Sequence, residues 1–88
     1  MTDLTSVGRA VQHFRLKAGL SVTELSQKAG IGYDSICGFE YGKVNPPLTR
    51  LNRLCEALNV DMGVLMTFAD QVDRLRALYG TKLREGED

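Results

Sequence analysis

The segment from Gly19 to Gly42, GLSVTELSQKAGIGYDSICGFEYG, holds the residues whose types and spacing imply a chemistry, and that chemistry is binding. Ser21 followed three residues later by Glu24 forms a capping box, in which hydroxyl and carboxylate each accept from a free amide at a helix start. The remaining amides of such a start, with the Ser21 and Thr23 hydroxyls, suit a phosphate. Nothing comparable exists for catalysis. The lone His13 has no Ser, Cys or carboxylate arranged beside it, and no glycine-rich phosphate cradle occurs. Cys37 and Cys55 lack partners at metal-ligand spacing and read as small hydrophobes within helices. No enzymatic activity, metal or cofactor is expected.

The elements around the capping box follow from periodicity. Leu25 and Ala29 repeat at helical spacing after Ser21, and Gly30 can take the left-handed conformation of a tight helix end. Ile31 is apolar where the corner must reach a core. A second helix from Gly32 or Tyr33 places Ile36, Phe39 and Glu40 on one face and stops at Gly42. Two short helices joined by a turn of about three to four residues make a helix-turn-helix, whose second helix commonly enters the DNA major groove. Upstream, Leu4, Val7, Val11, Phe14 and Leu16 give a helix from Leu4 to Lys17, closed by Gly19. Downstream, Asn45, Pro46 and Pro47 form an extended connector. A fourth helix from Pro47 or Leu48 carries the stripe Leu48, Leu51, Leu54, Cys55 and Leu58, exits through Asn59 and Val60, and is followed by Asp61 capping a fifth from Met62. The expected core is Val11, Leu16, Leu20, Leu25, Ala29, Ile31, Ile36, Phe39, Leu51, Leu54, Leu58, Val60 and Leu65.

Five stretches carry a resemblance: VGRAVQHFRLKAGLS, TELSQKAGI, SICGFEYGK, NPPLTRLNRLCEALNVD and MGVL. Their order and spacing from Val7 to about Leu65 resemble the lambda-repressor and Cro-like helix-turn-helix family, also called the XRE family. The resemblance implies an all-α, five-helix lambda-repressor-like domain that binds DNA and regulates transcription. It implies base contacts by Tyr33, Asp34 and Gly38 with help from Ser35, and by Cys37 further round the helix. Lys43, and the backbone around Val44 and Asn45, match the family's phosphate-contacting loop; Gln12, His13, Lys17 and Lys28 flank the groove. An ion pair between Arg15 and Glu40 is implied as a structural feature. The chain departs from the family at Val22, where a phosphate-meeting Gln is common, and Gly38 offers no side chain.

Beyond Leu65 the chain exceeds the family's minimum. Leu65, Phe68, Val72, Leu75 and Tyr79 alternate three and four apart, the spacing of a helix that packs on another helix. This stripe reads as a homodimer interface, with packing inside the monomer as the alternative. Asp70 and Arg74 form an exposed i,i+4 pair. Gly80 is expected to end the helix. The expected organisation is therefore a helix-turn-helix domain at 4–66, a helical extension at 67–80 and a flexible charged tail at 81–88.

The 88 residues suit one modest core. The chain is neutral, with 11 basic and 11 acidic residues, but residues 1–55 hold seven Lys/Arg against four Asp/Glu and residues 56–88 hold four against seven. Positive charge thus sits with the helix-turn-helix. No apolar run approaches the roughly 18 residues of a membrane span and no leader opens the chain, so a cytoplasmic protein is expected. Two functions of different classes fit. One is a homodimeric regulator reading a palindromic double-stranded DNA operator. The other, favoured by Val22, Asp34 and Gly38, is an anti-activator or antirepressor of the same fold that binds another regulatory protein.

Overall fold

The computed structural model describes residues 4–87 as five α-helices: α1 (Leu4–Lys17), α2 (Val22–Ala29), α3 (Tyr33–Glu40), α4 (Leu48–Leu58) and α5 (Met62–Glu87). Local chemistry sets their ends. Glu24 N–H donates to Ser21 Oγ at 3.0 Å and Ser21 N–H donates to Glu24 Oε1 at 2.8 Å, which starts α2. Gly30 closes α2 at φ 69°, and Asn59 closes α4 at φ 55°, in the left-handed region that these two residue types tolerate. Asp61 Oδ1 accepts from Gly63 N–H at 2.7 Å and so caps α5.

Helix α1 is the hub, packing most extensively on α5 and α3, while α2 lies against α3 and α4. Val7, Ala10 and Val11 of α1 meet Leu25, Ile31, Ile36 and Phe39 of the helix-turn-helix, Leu51, Leu54 and Leu58 of α4, and Leu65 and Ala69 of α5. The close fit of α1 and α3 depends on Gly8, where a Cβ would sit 2.1 Å from the Phe39 carbonyl oxygen. Side chains of larger residues cannot enter that contact.

Several expectations are corrected. Leu16 is 61% exposed rather than in the core, because it lies opposite the Val7–Val11–Phe14 stripe and Arg15 holds the inward position beside it. Leu48 is also exposed, at the very start of α4, and buried Pro46 lies inward two residues earlier. Leu20, Ala29 and Val60 are half-buried and border the core. Gly80 does not stop α5, and the backbone of residues 81–87 continues the helix instead of forming a tail. A single helical glycine costs only about 1 kcal/mol, which the helix formers around it offset.

The apolar residues of α5 divide into two stripes. Leu65, Ala69 and Val72 turn towards α1, with Leu65 and Ala69 fully buried, so Leu65 is not available to a second copy. Ser6 Oγ donates to Asp73 Oδ1 at 3.1 Å on the same side. Val64, Leu75 and Leu78 form the other stripe, exposed to solvent with Gln71 among them, while Phe68 is half-buried against His13 and Phe14 of α1. The side chain of Tyr79, and residue 88, lie outside the described residues.

Candidate nucleic-acid interface

The turn between α2 and α3 is tied by one side chain. Ser26 accepts from the Gly30 and Ile31 amides through its carbonyl, at 2.9 and 3.2 Å, while its hydroxyl donates to the Ile31 carbonyl at 2.5 Å. Ile31 is buried, which fixes the corner in the core. With the corner fixed, α3 turns Ile36, Phe39 and Glu40 inward and leaves the opposite face to solvent.

Glu40 anchors that orientation. Arg15 Nε donates to Glu40 Oε2 at 2.7 Å and its Nη2 donates to Oε1 at 2.9 Å, a two-pronged pair whose side chains are 10% and 4% exposed. The third prong, Nη1, donates to the Leu20 carbonyl at 2.8 Å. The hydrogen bond to Glu40 raises the pKa of the guanidinium further, against the opposing effect of burial. Arg15 therefore links α1, the α1–α2 connection and the end of α3.

The outward face of α3 carries Tyr33 and Asp34, both exposed, with Cys37 and Gly38 half-exposed one turn later and Ser35 half-exposed at its flank. Contact with the Cys37 side chain pushes the Tyr33 phenol above its ordinary range, so at neutral pH the phenol keeps its proton and can donate a hydrogen bond. Tyr41, 72% exposed, extends the same face at helical spacing from Asp34 and Cys37. That periodicity was available in the sequence and would have found it.

The flanking groups are arranged less uniformly. Ser21 and Thr23 are exposed at the start of α2, and Lys43 and Asn45 are exposed in the α3–α4 connection, as are Lys17 and Lys28 on their helices. Gln12 is half-buried. Val22 packs against the core, which accounts for an apolar residue at the head of α2. His13 stacks on Phe68 of α5, with ring centroids 4.2 Å apart and planes 17° from parallel, and so covers α5. Val44, exposed in the α3–α4 connection, was named from sequence for its backbone alone, and Arg50, exposed in the first turn of α4, was not singled out. Cys55 is buried in α4, where desolvation pushes its thiol up and keeps it protonated. Among the described residues no group of three or more His, Cys, Asp and Glu side chains is placed to hold a metal, and no helix is long and apolar enough to cross a membrane.

An exposed second helix on a buried, ion-paired support defines a helix-turn-helix DNA-binding domain. The chain belongs to the Cro/C1-type helix-turn-helix DNA-binding domain family, whose sequence profile matches residues 11–71, and it is a DNA-binding transcriptional regulator of the XRE type. A relative from Archaeoglobus fulgidus, described as an HTH-type transcriptional regulator, is 31% identical over 61 residues, covering 69% of this chain and 87% of its own. The fold is also that of the clp gene regulator ClgR from Corynebacterium glutamicum, with a TM-score of 0.85 at 21% identity over 91% of this chain and 85% of that one. The restriction-modification controller protein C.Esp1396I, solved as a tetramer with its natural 35 base-pair operator, matches with a TM-score of 0.71 at 22% identity over 77% of this chain and 90% of that one.

Proposed function

We propose that the protein is a cytoplasmic homodimer that binds a two-fold-related operator, with residues 4–66 as the DNA-binding unit and the helical extension holding the copies together. The observation that carries this reading is the outward face of α3, exposed at Tyr33, Asp34 and Tyr41 and half-exposed at Cys37 and Gly38, while its inner face and Arg15–Glu40 anchor are buried. In the major groove, Tyr33 donates through its phenol and Asp34 accepts from cytosine N4, with Ser35 and Cys37 alongside. Ser21, Thr23, Lys43, Asn45, Lys17 and Gln12 meet the backbone and fix register without reading sequence. The solvent-side stripe of α5 supports assembly: Val64, Leu75 and Leu78 are exposed on one side at helical spacing.

Footprinting on the DNA flanking its own gene tests the proposal. The expected result is protection of two half-sites about one helical turn apart, with affinity falling steeply as salt rises. A specific observation favours a second reading, in which this face binds another regulatory protein: Tyr33, Tyr41, Val44 and Leu48 are large, apolar and exposed around α3. Absence of any protected site, with only weak and salt-insensitive DNA binding, would overturn the operator reading and leave the second to be tested by capture of a protein partner.

A further inference from the structure

Gly38 lies on the outward face of α3 but presents no side chain there. The connection after α3 folds back over it: Lys43 N–H donates to the Gly38 carbonyl at 2.9 Å, and Val44 N–H reaches the same oxygen at 3.4 Å. A Cβ on Gly38 would stand 3.2 Å from Val44 Cγ2, so the valine methyl rests where a side chain of α3 would begin. Val44 is nevertheless 53% exposed. It is an apolar side chain between exposed Lys43 and Asn45, both suited to phosphates.

From this we infer that Val44 is a specificity-determining residue, filling the place left by Gly38 on the recognition surface and reading the C5 methyl of a thymine. The inference rests on the DNA-binding reading above. The thymine methyl is the apolar feature of the major-groove edges, and small apolar side chains are what contact it. Valine is suited to this because its branched Cβ restricts χ1, so two backbone hydrogen bonds and the contact with Gly38 fix the direction of its methyls. Gly38 is then a seat for Val44 rather than a base contact in its own right.

The test uses the full chain. A duplex is selected from a random library with the wild-type protein, each of its thymines is replaced singly by deoxyuridine, and binding is measured for wild type, Val44→Ala, Val44→Ile and Gly38→Ala. The expected result is one thymine in each half-site whose lost methyl weakens wild type and Val44→Ile by roughly four-fold, the worth of one buried methylene. That sensitivity disappears in Val44→Ala and changes at the same thymine in Gly38→Ala, where Val44 must shift. Thermal melts of the Val44 variants stay close to wild type, since this side chain is half in solvent. A selected site in which deoxyuridine costs nothing, or costs wild type and Val44→Ala equally, overturns the role of Val44 while leaving DNA binding intact. A library that yields no enriched sequence overturns both.

Discussion

Arg15 occupies an inward position of α1 that the apolar pattern would give to a hydrophobe, and its three-pronged bonding makes that position tolerable. Two donors meet the Glu40 carboxylate and one meets the Leu20 carbonyl. Glu40→Ala leaves a buried guanidinium with only one partner, which costs on the order of 3 kcal/mol, a drop of more than ~10 °C for a domain of this size. Thermal denaturation by circular dichroism checks this, and an unchanged midpoint would show that the pair adds nothing. DNA binding by this variant falls because the fold does. Gly8→Ala tests the same α1–α3 junction through sterics: a methyl 2.1 Å from the Phe39 carbonyl oxygen forces the helices apart. A cost of about 1–3 kcal/mol or more is expected, although alanine is the better helix former. A Gly8→Ala variant as stable as wild type would mean that the helices separate freely. The ion pair was legible only through the family resemblance, since nothing local joins residues 25 apart in sequence. Gly8 was not legible at all, because the close approach that requires a glycine belongs to the partner helix.

Helix boundaries belong to a more local scale, and the sequence carried them well for that reason. Ser21, Gly30, Asn59 and Asp61 act on backbone groups within a few residues, so their chemistry is complete in the chain itself. Core membership was less legible. Leu16 and Leu48 are apolar but sit where their helices face water, and the small residues Ala10 and Ala69 are fully buried at helix contacts. The capping box yields a pH prediction. Hydrogen bonding from the Ser21 backbone, and then from its side chain, lowers the Glu24 pKa below the ordinary 4.5. Its stabilising effect is therefore fully present above pH 4.5 and is lost as pH falls through the lower folded-state value. Against Glu24→Gln, which keeps the cap geometry without the charge, wild type should melt higher at neutral pH, with the gap closing below pH 4.5. Melting curves of both proteins between neutral and acid pH measure it, and a gap that persists in acid refutes the carboxylate's role.

At the scale of the molecule, α5 serves two surfaces at once, and this is why one stripe read from sequence could not describe it. Of the stripe's described side chains, Leu65 is committed to the core and Phe68 packs on α1, whereas Leu75 is 54% exposed and its neighbour Leu78 is 74% exposed. A hydrophobic period of three and four marks a helix that packs, but it does not say whether the partner is α1 or a second copy. The two faces can be separated by substitution. Leu75→Asp puts a charge into the solvent-side stripe, so in a dimer it buries an unpaired carboxylate at the interface, whereas in a monomer it merely faces water. The expected outcome is a monomer by sedimentation, with helicity and melting behaviour retained. Operator affinity should fall by about two orders of magnitude, because the second half-site is then no longer held at high effective concentration. Leu65→Asp places the same charge in the core and should unfold the domain outright. If Leu75→Asp remains dimeric, the copies meet elsewhere; if it loses its helicity, this part of α5 belongs to the domain's own core and the extension has no role in assembly.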